Sequence, residues 1–350
     1  MKAIEIAVAG AGLIGKKHIE LIQANGRCNL AAIVDPSPEA VALATATNVP
    51  LYKNLPALFA AQRLDGVVLA TPNQLHVAQA LECIHAAVAA LIEKPVAHTM
   101  AEGERLLQAA DQAQAKLLVG HHRAHSPLLA QAREAIAQGL LGKIVAVNGS
   151  ATFYKPDDYF DAAPWRRQPG GGPILINMIH EIGNLRSLCG EIVSVQAMAS
   201  SETRGFPVED TVAINLRFAS GALGTFLLSD TAASARSWEQ TSQENKSYPS
   251  YADEDCYVIS GTHGTLSVPT MRLKTYGKPD ERSWWKPFVE HALTIQRGDP
   301  LELQLAHFCD VIEDKALPLI TVRDGVQNLR ITEAIAQAVR TGALVRTDSA

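Results

Sequence analysis

An α/β domain on a doubly wound parallel sheet, followed by an α+β domain with a large, open and mostly antiparallel sheet, is the architecture this sequence predicts. Three observations carry the prediction. The chain opens on an apolar run, Ile4–Ala9, which enters a glycine-rich turn and then a helix-like stretch, Lys16–Ile22. Buried-type strands then alternate with helices as far as Val119, the pattern of right-handed crossovers in a parallel sheet. From Gly142 the pattern changes to two-residue alternation with short turns, which reads as antiparallel β.

Each element follows in order. After the glycine turn, Leu30–Asp35 is a second strand and Glu39–Thr47 a helix. Val49–Tyr52 is a short strand or turn and Asn54–Gln62 a short helix. Asp65–Ala70 is a buried strand whose end, Thr71–His76, opens a helix through Ile84. Ala89–Ile92 is a strand stopping at Glu93-Lys94-Pro95, Met100–Ala115 an amphipathic helix, and Lys116–Val119 the last parallel strand. In the second half Lys143–Phe153, Val193–Ala199, Thr211–Phe218, Leu223–Leu228, Tyr257–Ser260 and Thr265–Val268 read as strands, with a helix over 174–188 inserted after the first. Ser229–Tyr251 reads as a long polar loop holding Trp238, a length that marks functional or disordered segments. Two helices, 301–314 and 325–341, close the chain and can pack back on the first domain.

At 350 residues the chain is long for one core, so two domains are expected, residues 1–121 and 122–350. Its 47% hydrophobic and 19% charged residues suit a water-soluble globular protein. A net charge of −5 gives no footprint for nucleic acid, and no apolar run is long enough to span a bilayer. The chain opens directly on a strand, so no signal peptide and a cytoplasmic location are expected. Five scattered cysteines, with no C-x-x-C, suit a reducing compartment.

The glycine turn, Gly10-Ala11-Gly12-Leu13-Ile14-Gly15, is a G-x-G-x-x-G between strand and helix, with Asp35 twenty residues after Gly15. That context is the dinucleotide-binding (Rossmann) fingerprint. Gly10 serves the tight turn, Gly12 the approach of a pyrophosphate, Gly15 the packing of helix on sheet, and Asp35 the ribose. The anion rests on free N–H groups at the helix start. Ligands on such sheets bind beyond the carboxyl ends of the strands. The glycine turn, Asp35, Thr71–His76, Glu93-Lys94-Pro95 and Gly120–Arg123 all fall there.

Taken together, these motifs resemble the glucose–fructose oxidoreductase/inositol dehydrogenase (Gfo/Idh/MocA) family. The resemblance rests on the glycine turn, Thr71-Pro72-Asn73-x-x-His76, Glu93-Lys94-Pro95, Trp165-Arg166, Gly170-Gly171-Gly172 and Ile179-His180-Glu181-Ile182. It implies a Rossmann domain, a substrate and oligomerisation domain, and oxidation of a secondary alcohol of a sugar, sugar acid or cyclitol with NAD or NADP. It also implies a cis Lys94–Pro95 bond and a homodimer or homotetramer. The family's helix usually reads D-x-x-x-H-x-x-D, but here Ile176 stands four before His180 and Gly183 three after. Asn177, one place off, would be rotated by about 100°.

The candidate site is therefore as follows. Lys94 and His180 handle the hydroxyl proton, Lys94 also stabilising alkoxide charge. Gly10, Gly12, Leu13, Ile14, Gly15, Asp35, Thr71, Pro72, Asn73, His76, Glu93 and Lys94 hold the cofactor. His122, Tyr154, Lys155, Trp165, Arg166 and Asn177 line the side of a small polyhydroxylated substrate. NAD is expected rather than NADP, because Asp35 would repel a 2′-phosphate and Pro36-Ser37-Pro38 offers no arginine. His121, His122 and His125 have no partnering Cys or acid at ligand spacing, so no metal is expected. Phe226-Leu227-Leu228 is apolar on both faces, as an oligomer interface would be. Trp284-Trp285 reads as packing or interface. A dihydrodiol dehydrogenase and a redox-silent ligand sensor on the same scaffold are the alternatives.

Overall fold

The computed structural model describes residues 3–347. It forms two compact units, one of residues up to His122 with Pro300–Leu329, the other of Arg123–Asp299 with residues from Arg330 on.

The first unit contains β1 (Ile4–Ala9), α1 (Leu13–Ala24), β2 (Cys28–Val34), α2 (Glu39–Thr47), β3 (Leu51–Tyr52), α3 (Leu55–Ala61), β4 (Gly66–Leu69), α4 (Asn73–His85), β5 (Ala89–Glu93), α5 (Met100–Ala113) and β6 (Leu117–Gly120). The strands form one parallel sheet in the order β3-β2-β1-β4-β5-β6. The order reverses between β1 and β4, which opens a crevice at their carboxyl ends. Both faces are covered, so β1 is apolar and buried without a break from Ile6 to Ala9 rather than alternating. Ala7 and Ala9 pack with α4 and α5 residues on one face, while Ile6 and Val8 pack with Ile19 and Ile22 of α1 on the other. Burying each such large aliphatic side chain stabilises the fold by about 1.5–3 kcal/mol.

The second unit begins with α6 (Pro127–Ala137). It adds to the helices the sequence pattern predicts: Ser126 caps it and Pro127 occupies its first turn, a normal helix start. It continues with β7 (Ile144–Thr152), α7 (Asp157–Asp161), α8 (Ile179–Cys189), β8 (Ile192–Ser200), β9 (Thr211–Phe218), β10 (Leu223–Ser229), α9 (Trp238–Ser242), β11 (Tyr257–Gly261), β12 (Gly264–Val268), β13 (Arg272–Thr275) and β14 (Val289–Ala292). A π turn, Ile174–Met178, leads into α8. Beyond residue 299 come α10 (Pro300–Ile312), α11 (Val322–Thr341) and β15 (Val345–Arg346).

The second sheet has nine strands in the order β14-β13-β12-β11-β7-β10-β9-β8-β15. Only β7 and β10 pair in parallel among them. The inner face packs against α6, α8 and residues 331–338 of α11. The sheet is larger than expected because β13, β14 and β15 are only four, four and two residues long, too short for alternation to mark them. The 229–251 segment is corrected as well. It holds α9, and Trp238 is buried in the core, stacked on Tyr257 at 6.0 Å. In β10, Phe226 and Leu228 face the core and Leu227 is 47% exposed on the outer face.

Candidate active site

At the start of α1 the local geometry is set by glycine. Gly10 has φ +96°, and a Cβ there would lie 2.5 Å from the Ala70 carbonyl oxygen. A Cβ on Gly15 would lie 1.9 Å from the Gly10 oxygen. A Cβ on Gly12, by contrast, would meet nothing within 4 Å. Gly12 therefore borders an open cradle. Beside it α1 begins with no side-chain cap and no acid in its first turn. Free N–H groups and an open cradle are what a pyrophosphate requires, so these residues fit a dinucleotide. Leu13 is 86% exposed at the same corner, and Ile14 packs on the β1 side of the sheet.

Asp35 follows β2. Its Oδ2 accepts the Ala11 N–H at 2.7 Å and its Oδ1 the Ser37 N–H at 2.8 Å. Burial pushes its carboxyl up, but the hydrogen bonds from Ser37 and Ala11 outweigh this and hold it below the usual range. The acid thus braces the glycine turn from the neighbouring strand.

At the ends of β4 and β5, Thr71 Oγ1 donates to Gln79 at 2.6 Å, and Pro72 and Asn73 start α4. His76 is buried, with Nδ1 2.8 Å from the Pro95 oxygen and Nε2 2.9 Å from the Thr71 oxygen. Burial lowers its pKa. His76 therefore ties the two loops together, and both ring nitrogens are engaged within the protein. Glu93 is also turned inward. Its Oε1 meets His18 Nε2 at 2.8 Å, and its Oε2 accepts the Lys94 N–H at 3.2 Å. Burial pushes the Glu93 carboxyl up. The His18 hydrogen bond and charge, helped by Lys94 and His122, offset this and hold it at about 2. Lys94 itself is half-buried, directly after β5, and its bond to Pro95 is cis. His122 lies in a short 3₁₀ turn after β6.

In the second unit His180 is buried on the first turn of α8. Its neighbour Glu181 anchors the helix. Arg123 Nη1 donates to Glu181 at 2.5 Å and Nη2 to Glu239 at 2.6 Å, and the Tyr257 hydroxyl donates to Glu181. Asn177 lies in the π turn, and its Oδ1 accepts from Lys155 Nζ at 2.8 Å. Asn177 Oδ1 is thus committed to Lys155. Lys155 also pairs with Asp230 at 3.2 Å. Burial lowers its pKa to about 8, with Asp230 opposing and Arg166 and Arg204 adding to the fall. Lys155 Nζ lies 5.0 Å from the Tyr159 ring centre and the Arg166 guanidinium 3.8 Å from it. Tyr154 and Trp165 are exposed near this cluster, Tyr154 beneath Arg204 at 5.1 Å and Trp165 5.9 Å from Arg166.

His18, Asp230 and the Arg123–Glu181 pair were absent from the sequence reading. A histidine amid the inward Ile19 and Ile22, and an acid ending a wholly buried strand, were the signals that could have paired His18 with Glu93. Among the described residues no three His, Cys, Asp or Glu side chains gather as a metal set. No described helix is long and apolar enough to cross a membrane.

A parallel sheet with a nucleotide-type glycine turn, joined in one chain to an open mixed sheet, defines an NAD(P)-dependent oxidoreductase. Residues 4–121 match the oxidoreductase family with an NAD-binding Rossmann fold, and residues 129–267 match the GFO/IDH/MocA C-terminal domain. The chain belongs to the Gfo/Idh/MocA family. It is 28% identical to 1,5-anhydro-D-fructose reductase of Ensifer adhaerens, over 80% of this chain and 78% of that protein. It is 24% identical to inositol 2-dehydrogenase of Rhizobium meliloti, over 96% and 97%. The WlbA dehydrogenase of Bordetella pertussis, solved in complex with NADH and UDP-GlcNAcA, superposes with a TM-score of 0.79 and 27% identity, covering 100% of both chains.

Proposed function

We propose that this protein oxidises a secondary alcohol of a sugar, sugar acid or cyclitol, or reduces the matching ketone, with NAD as its cofactor. The observation that carries the reading is the open cradle at Gly12, with an uncapped helix start in the same unit as a lysine at the carboxyl end of β5. When bound, the nicotinamide supplies the hydride acceptor. Lys94 hydrogen-bonds the reacting oxygen and stabilises its developing charge. His180 takes the hydroxyl proton as base. Lys155, Asn177, Arg166, Tyr154, Trp165 and His122 hold the remaining hydroxyl or acid groups. The relatives named for anhydrofructose and inositol support a polyhydroxylated substrate. Five buried free cysteines fit work in a reducing cytosol. The direct test is incubation with NAD and a panel of polyols and sugar acids, following absorbance of the reduced cofactor. Tight NAD binding without turnover of any alcohol would favour the ligand-sensor reading.

NAD is expected to be used better than NADP. A 2′-phosphate would face the ionised Asp35, and such desolvated repulsion costs several kcal/mol. Asp35→Ala also removes the brace on Ala11, so both cofactors should bind more weakly. The ratio of their kcat/KM values is the readout. It should favour NAD in the wild type and move toward NADP in Asp35→Ala. An unchanged ratio refutes the assignment.

A homodimer or homotetramer is also proposed. A groove of about 460 Å³ crosses the outer face of the large sheet, between Asn148, Gln196, Met198, Asn215, Thr225 and Leu227. Leu227 sits on β10, well inside the sheet, where an exposed leucine is costly unless covered. Light scattering at micromolar concentration should give an oligomer, and Leu227→Asp should shift it toward monomer. A monomeric wild type overturns this.

A further inference from the structure

His18 stands on the inward side of α1 and is 1% exposed. Among the described residues its Nδ1 has no partner, so the ring's one hydrogen bond is to Glu93. Glu93 is buried as well, and its conformation is confined. A Cβ on Gly120 would lie 3.1 Å from Glu93 Cα and 3.2 Å from its carboxyl carbon. The titratable groups facing this carboxylate are His18, Lys94 and His122. A buried pair of ionisable groups contributes little net stability, since apolar residues of like volume serve as well or better. This one spans two specific places. One end is the helix whose free N–H groups border the open cradle at Gly12. The other is the backbone N–H of Lys94.

We infer that His18 is a positioning residue for Lys94, and that through Glu93 it locks the pyrophosphate-facing helix to the strand end that presents the amine. The inference rests on the reading of Lys94 as the group that handles the substrate oxygen. Without the ring, Glu93 Oε1 is left buried and unpaired. Its carboxylate then turns toward the next cation, which is Lys94. The Lys94 backbone loses its acceptor, and its amine acquires a competing salt bridge. A displacement of about 1 Å at such a group costs roughly 10²-fold in rate.

The test compares full-length wild type with His18→Phe, which keeps the ring volume, and His18→Gln, which restores an N–H donor. Three quantities are read: the Kd for NAD by calorimetry, kcat and KM for the best alcohol of the panel, and acetylation of Lys94 by trace acetic anhydride, followed by peptide mass spectrometry. His18→Phe should bind NAD within about threefold of wild type and lose roughly 10²-fold in kcat. Its Lys94 should acetylate at a clearly different rate, and His18→Gln should recover most of both changes. Should His18→Phe fail to fold, Glu93→Gln removes the buried charge at constant shape and should alter Lys94 acetylation in the same assay. Unchanged kcat and labelling overturn the inference. So does a loss of NAD affinity equal to the loss of kcat with normal labelling, or a glutamine variant no better than phenylalanine. A protein that oxidises no alcohol, yet labels Lys94 differently in His18→Phe, keeps the coupling and discards the dehydrogenase reading.

Discussion

Replacing Lys94 or His180 with alanine is expected to lower kcat about 10²–10⁴-fold, the usual loss for a general acid–base group, while NAD still binds. The separation follows from the geometry of the first unit. The cradle at Gly12 and the start of α1 are built from backbone, and neither depends on the Lys94 amine. If the two residues share one proton relay, the double variant should lose little more than the worse single one, because residues acting as a unit are not additive. Multiplicative losses would mean separate roles, Lys94 at the alkoxide and His180 in positioning. The family's acid four residues before His180 is Ile176 here, and Asn177 is engaged by Lys155. If Lys94 carries the proton alone, His180→Ala should raise KM more than it lowers kcat. Wild-type turnover in Lys94→Ala defeats the mechanism.

Arg123→Met should be the most destabilising single change outside the glycine turn. Arg123 is buried against Glu181 and Glu239, and removing one partner of a buried pair costs about 3–5 kcal/mol. For a protein of this size that is a fall in Tm of roughly 10 °C. The deficit should depend on pH in a defined direction. Burial already raises the Glu181 carboxyl above its ordinary range even with Arg123 present, and losing the guanidinium raises it further. A carboxyl raised in the folded state costs nothing below its unfolded pKa, and costs progressively more as pH climbs from there to the folded value. The Tm difference between variant and wild type should therefore be smallest near acid pH and widen toward neutrality. Glu181→Gln added to Arg123→Met should recover much of the loss. A deficit that narrows as pH rises contradicts the account. Because Glu181 adjoins His180 on α8, the same pair holds the helix that carries His180 in place.

The elements of the first unit were legible because their signals are local. An apolar run, a glycine turn and a helix start lie within fifteen residues, and Gly10 and Gly15 are required by contacts with Ala70, just past β4, and with the turn itself. Helix α6 was equally local. Its Ser126-Pro127 start is a standard cap readable from two adjacent residues. The short outer strands β13 and β14 were not legible: β13 alternates over only four residues, Arg272–Thr275, with Leu273 its one large apolar residue, and β14 is exposed along its whole length.

What the sequence by itself determined was the class of site: a nucleotide cradle at Gly10–Gly15, an acid at the end of β2, a lysine at the end of β5 and a histidine on a helix of the second unit. The tertiary structure decided which groups are held by which. Glu93 faces His18 across 75 residues of chain, Lys155 meets Asp230 across 75, and Arg123 reaches Glu181 across 58. Periodicity says which side of a helix or strand is buried. It does not say how far a helix slides or turns on the sheet beneath it, and a shift of one residue, about 100° on a helix, exchanges every polar partner. Those registers are set by the packing of whole apolar faces, so the pairings that orient the site exist only once the two cores have formed.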